Sequence, residues 1–334
     1  MQNLPDIREW AKEIAAAQMF EIREFLAQGQ WYETGTLRNV IYSGTYHNKP
    51  AVLKVYRDRR VTHEPIALAA FHDVNTSSIV RAPQLYASEM YSPHEGWLIM
   101  EHLPEGGAFF PAPAGEEEKK EIIEVFVEYR THFPYEPKVP LSLAEHLPAH
   151  LFHRFRIDRW LSYANEQEAA RGMRGEELLF DPKELSGRLA RALPLIDHIF
   201  EKRAMIWCHG HVKAHEIYKT NQGQYYLLDF AHTHRYPEGY ELAFLAWADW
   251  LMAGDCALPY DAWRGRIDAW MPLLHDAAKR TGLKNADTLL PASLLERTIG
   301  TILADVGATD TPVEELKHRL AYLYRFADQL CDEL

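Results

Sequence analysis

The sequence predicts an α+β chain in which a small antiparallel sheet with one helix precedes a larger, mostly helical region. Three observations carry that expectation. Short strand-like runs crowd the N-terminal third, the Gly-, Pro- and Ala-rich stretch PEGGAFFPAPAG follows them, and helical patterns fill most of the remainder.

Residues 5–28 place Ile7, Trp10, Ile14 and Phe25 at helical spacing and read as an amphipathic helix. TLRNVIYSGTY and AVLKVY, separated by the turn-like HNKP, read as a hairpin. THEPIALAAFHDV reads as a helix, and APQLYASEM and GWLIMEHL as further strands. PEGGAFFPAPAG reads as a linker or flexible loop. Beyond it, EEEKKEIIEVFVEYR puts acidic side chains in a first turn, where the helix dipole favours them. Asp181, Pro182 and Glu184 set out a capping box, and Thr311, Pro312 and Glu314 repeat its logic. One β island interrupts the helices: AMIWC, HEIYK and YYLLDF, the last two joined by NQGQ. The chain therefore divides into an N-terminal helix (1–30), a sheet lobe (31–103) and a helical lobe (104–334).

Composition narrows the function classes. Acidic residues number 48 against 36 Lys and Arg, a net charge of −12, which argues against a nucleic-acid partner. Cys208, Cys256 and Cys331 are far apart and form no Cys-x-x-Cys pair, which fits a reducing cytoplasm. The most apolar stretch, LAFLAWADWLMAG, is short and carries Asp249, so no membrane span is expected.

The chemistry-bearing residues cluster in WCHGHVKAHEIYKTNQGQYYLLDFAH. This segment resembles the catalytic loop and metal-binding strand of the aminoglycoside and choline phosphotransferase family, which has a protein-kinase-like fold. The family pattern, His-Gly-Asp-x-x-x-x-Asn followed by a hairpin and an Asp, is met at His209, Gly210, Ile217 and Asp229. YELAFLAW is similar to the segment that follows, with Glu241 where an Asp is usual. The resemblance spans roughly residues 31–250 and implies a bilobal fold binding ATP, or another nucleoside triphosphate, with Mg²⁺ between the lobes. It implies that Lys54 grips the α and β phosphates, that Glu64 pairs with Lys54, and that Met100, Glu101 and Leu103 form the hinge beside adenine. Gly35 is the one glycine offered by a thin phosphate loop.

Two departures shape the expected chemistry. His211 stands where the family has its catalytic Asp, and Glu216 where it has a metal-binding Asn. Glu216 remains a hard oxygen ligand beside Asp229, while His211 would face an acceptor hydroxyl and His209 would brace the loop. The implied activity is phosphotransfer to a small-molecule hydroxyl, with a non-catalytic, nucleotide-binding pseudokinase as the alternative. Glu241 and Asp249 would suit a cationic acceptor. A rival reading takes His209, His211, His215, His232, His234 and Asp229 as the ligands of a metal-dependent hydrolase, although Val212 and Lys213 break the usual pattern. Without that rival, His232 and His234 read as surface residues or as support for the site. The sequence is silent on oligomeric state.

Overall fold

The computed structural model describes residues 6–30, 36–59, 61–133, 148–179, 181–251, 256–306 and 311–334. Helix α1 (Ile7–Ala17) is capped by the Asp6 carboxylate and ends where Met19 takes a left-handed φ of 55°. The chain then runs straight into strand β1 (Phe20–Gln30). The helix expected over 5–28 is therefore only its first half. Pairing with the next strand satisfies the backbone of the second half, and Phe25 lies exposed on that strand.

Strands β2 (Leu37–Tyr46) and β3 (Lys49–Tyr56) form the expected hairpin. His47 and Asn48 both take positive φ, which matches the right-handed twist of the flanking strands. Helix α2 (Glu64–Val74) leads through β4 (Val80–Arg81) to β5 (Leu85–Ser92) and β6 (Glu95–Glu101). The five-stranded sheet has the order β1-β2-β3-β6-β5. Alternation along β6 sends Ile99 toward α1 and Leu98 toward α2, so both faces are covered.

The Gly- and Pro-rich stretch is tied down: its strand β7 (Ala108–Phe109) pairs with β9 (Ile217–Lys219). Helix α3 (Glu116–His132) follows, burying Ile122, Phe126 and Tyr129 at helical spacing. Helices α4 (Ala149–Met173) and α5 (Pro182–Phe200) come next. Asp181 caps α5 through the Lys183 N–H, while Glu184 bonds to Arg188 instead of closing the box. Strands β8 (Met205–Cys208), β9, β10 (Tyr225–Leu227) and β11 (His234–Pro237) make the β island. Helices α6 (Tyr240–Ala246), α7 (Tyr260–Asp268), α8 (Met271–Arg280), α9 (Ala286–Val306) and α10 (Val313–Glu333) complete the chain. The N-cap of α10 is Pro312, one residue later than expected, so Thr311 lies outside the helix. Helix α9 is buried on nearly every side and forms the centre of the helical lobe. Among the described residues, no helix is long and apolar enough to cross a membrane.

Candidate active site

Lys54 sits on β3, an interior strand, so it is not an edge lysine guarding against aggregation. Its Nζ donates to Glu64 Oε2 at 2.6 Å, and both side chains are buried. Glu64 stands in the first turn of α2, which packs on the face of the sheet that carries Lys54's neighbours Tyr56 and Leu98. Burial alone would depress the Lys54 ammonium, but Glu64 and Asp229 outweigh it and the pKa is raised. Burial pushes the Glu64 carboxyl up, and Lys54 pulls it back.

Asp229 follows β10 in a left-handed conformation, φ 60° and ψ 55°, which Asp tolerates better than most residues. That turn brings Oδ1 to 4.0 Å from Lys54 Nζ. It also starts a 3₁₀ turn, Phe230–His232, in which side chains three apart eclipse. His232 Nε2 accordingly lies 3.7 Å from Asp229 Oδ2. Burial works to raise the Asp229 carboxyl, but His211, Lys54 and His232 hold it well below the usual range.

The loop after β8 is held from beneath. The His209 N–H donates to Tyr129 Oη at 2.7 Å, and the Gly210 N–H donates to Glu241 Oε1 at 2.8 Å. Gly210 has φ 77°, and a Cβ there would lie 2.5 Å from the His232 carbonyl oxygen. Only glycine fits both demands. The His209 ring is fully buried against Phe230, whose other neighbour is Phe71 of α2. This column links the Glu64 helix to the loop.

His211 lies on the same loop with Nδ1 2.9 Å from Asp229 Oδ2 and 4.0 Å from Glu216 Oε1. Its contact with Asp229 is close but not aligned as a hydrogen bond. Burial pushes the imidazole down to about 4, so it is neutral at neutral pH. Glu216 ends a short 3₁₀ turn, 3.4 Å from Lys213. Burial first, and then the Asp229 charge, push its carboxyl up to about 7.

Lys54, Glu64, Asp229, His211 and Glu216 thus converge on one cleft, with His209 behind it. Met100 and Glu101 end β6, and Leu103 follows where the chain passes between the lobes; Glu101 Oε2 accepts from the Gln84 N–H. Gly35 lies outside the described residues. Sequence reasoning named His232 as a ligand of the rival hydrolase, or else as a surface or supporting residue; the structure sets its Nε2 beside Asp229 Oδ2. Tyr129 and Arg130 on α3 were missed; Arg130 reaches the Trp207 carbonyl and lies 3.8 Å from Glu241.

The two carboxylates expected to greet a cationic acceptor do other work. Glu241 is buried and holds the loop, and Asp249 is buried and accepts from the Ala114 N–H and the Trp270 indole. The six-residue hydrolase constellation does not assemble either. Among the described residues, only His211, Asp229 and His232 of that set come together, while His215 is exposed and His234 stacks on Trp207.

Neither the family models nor the curated proteins compared with this chain match it. Solved structures do. An amicoumacin kinase in complex with AMP-PNP, Ca²⁺ and Ami superposes with a TM-score of 0.62 at 15% identity, covering 98% of this chain and 93% of that one. ADP-bound aminoglycoside phosphotransferase APH(2'')-Ib gives 0.61 at 12%, covering 96% and 98%. Choline kinase LicA from Streptococcus pneumoniae gives 0.56 at 12%, covering 98% and 99%. The fold is that of these small-molecule kinases. In this kinase-like fold, the sheet lobe carries Lys54 and Glu64, and the helical lobe carries His209, His211, Glu216 and Asp229.

Proposed function

We propose that this chain binds ATP, or another nucleoside triphosphate, with Mg²⁺ between its lobes and transfers the γ-phosphoryl group to a small-molecule hydroxyl. One observation carries the reading: Lys54, from the sheet lobe, is shared between Glu64 and Asp229, the latter from the helical lobe. The solved structures with this fold include complexes with ADP and AMP-PNP, which supports the nucleotide.

In this reading Lys54 orients the α and β phosphates, and Glu64 fixes its position. The backbone from Met100 to Leu103 meets the base. Asp229 and Glu216 would hold Mg²⁺, which, when bound, offsets phosphate charge. The residues fit it: Asp229 Oδ2 and Glu216 Oε1 flank the same atom, His211 Nδ1, at 2.9 and 4.0 Å. A hard cation would relieve the repulsion that, after burial, helps push Glu216 up. The acceptor oxygen forms the new P–O bond, the bond to the bridging oxygen breaks, and ADP leaves. His211 takes the acceptor's proton, but a base of pKa about 4 does so weakly at neutral pH.

A panel of hydroxyl-bearing small molecules, scored by ADP formation, tests the activity. His211→Asp should raise the rate about tenfold or more. Nucleotide binding without transfer in both proteins favours the second reading, a pseudokinase. The contact of His211 with the Asp229 oxygen is the observation behind that second reading.

A further inference from the structure

His211 and His232 bring two imidazoles to a cleft whose Mg²⁺ ligands, in the kinase reading, are carboxylates. Their rings stack with centroids 4.1 Å apart and planes 19° apart, and both reach the same atom, Asp229 Oδ2. The Asp229 carboxylate divides its work, because Lys54 approaches Oδ1 and the imidazoles approach Oδ2. We propose that His211, His232 and Asp229 form a site for one borderline divalent transition-metal ion of the Zn²⁺ class.

Geometry, ligand type and the state of the ligands each support this. The three ligand atoms lie within 4.8 Å of one another. A tetrahedral ion with bonds of 2.0–2.1 Å separates its ligand atoms by about 3.3 Å. The observed 2.9 Å and 3.7 Å to Oδ2 straddle that value. Two imidazole nitrogens and one carboxylate oxygen suit Zn²⁺, Co²⁺ or Ni²⁺, whereas Mg²⁺ selects oxygen. His211 Nδ1 is buried beside a carboxylate without an aligned hydrogen bond, a donor set that an ion would complete.

Among the described residues, no fourth His, Cys, Asp or Glu joins these three within 4.8 Å. His209 Nδ1 already accepts from the His211 N–H, at 3.3 Å. Three protein ligands leave a coordination position open to water or to a phosphate oxygen. Glu216 Oε1, 4.0 Å from His211 Nδ1, borders that opening. An ion held here takes up the nitrogen lone pair that His211 would need to act as a base. The site does not depend on phosphotransfer.

Co²⁺ titration of the full chain without nucleotide, read by visible d–d absorption, tests the proposal. One equivalent should bind, and about a hundredfold excess of Mg²⁺ should leave the band in place. His232→Ala and His211→Asn should each weaken binding about tenfold or more, while His215→Ala should leave it unchanged. Far-UV circular dichroism checks that each variant is folded, and the two variants approach the site from different elements. No visible band, displacement by Mg²⁺, or equal binding by a folded His232→Ala protein overturns the proposal. A Mg²⁺–ATP thermal shift on the same samples separates the two claims. A shift without Co²⁺ binding sinks this site and spares the kinase reading; Co²⁺ binding without a shift does the reverse.

Discussion

Two of the buried charge clusters among the described residues, one in the cleft and one in the helical lobe, differ in how far their carboxylates are satisfied. In the lobe, Glu296 of α9 is fully buried and accepts two bonds of 2.6 Å from Arg156 of α4, with His153 at 3.3 Å. Arg297 beside it lies over Tyr240 at 3.9 Å and Phe244 at 4.4 Å. In the cleft, the Asp229 side chain is 25% exposed, Lys54 is 4.0 Å away and His211 is misaligned for hydrogen bonding. The imidazole is out of line in both clusters, and Arg297 also keeps guanidinium nitrogens without hydrogen-bond partners. The difference lies in the carboxylates: the bidentate Arg156 fork closes Glu296, whereas Asp229 has no such partner and retains capacity for a ligand.

Removing a carboxylate from each cluster should therefore have opposite consequences. Glu296→Ala leaves the Arg156 guanidinium, on a side chain 19% exposed, without its carboxylate and should cost about 2–4 kcal/mol in chemical denaturation. A loss below about 1 kcal/mol would mean that the lobe cluster is not closed. Gly210→Ala comes next. Its Cβ meets backbone at 2.5 Å in a positive-φ conformation, and a loss of about 2–3 kcal/mol is expected. That result would show that the cleft is open in its side chains but rigid in its backbone.

The pH dependence sharpens the contrast, because the two carboxylates shift in opposite directions. Glu296 is held far below its ordinary range: burial opposes this, but Arg156 and His153 prevail. Its contribution is present above the unfolded pKa of about 4.5 and is lost as pH falls below it. Glu216 is raised to about 7, so the folded state binds the extra proton between about pH 4.5 and 7. Stability should fall as pH rises through that window. In metal-free buffer, Glu216→Gln should gain about 2 kcal/mol relative to the parent between pH 5 and 8. An unchanged difference would place Glu216 in water.

Much of this site was legible in the sequence because its parts are local. Lys54 lies in an apolar strand, Glu64 in a first turn, and Asp229 at a strand end, and each signal spans a few residues. What was hidden depends on tertiary contact. Phe20–Gln30 reads as the continuation of a helix until β2 offers it a partner. Glu241 and Asp249 look like free carboxylates until Gly210, Ala114 and Trp270 donate to them. His232 was named from the sequence, but its stacking over His211 depends on the left-handed turn at Asp229 that folds it back.

The central claim is that the open carboxylate is a nucleotide and metal site. Thermal unfolding with ATP, with and without Mg²⁺, tests it in the parent and in Asp229→Asn, since Asn also tolerates the left-handed backbone. The substitution itself should cost stability, because Lys54, His211 and His232 favour the ionised carboxylate, so each shift is read against that protein's own ligand-free midpoint. At about a hundred times its Kd, ligand should add about 2.7 kcal/mol to the parent, in a Mg²⁺-dependent way, and nothing to the variant. An equal shift in both proteins, or none in either, would contradict the account.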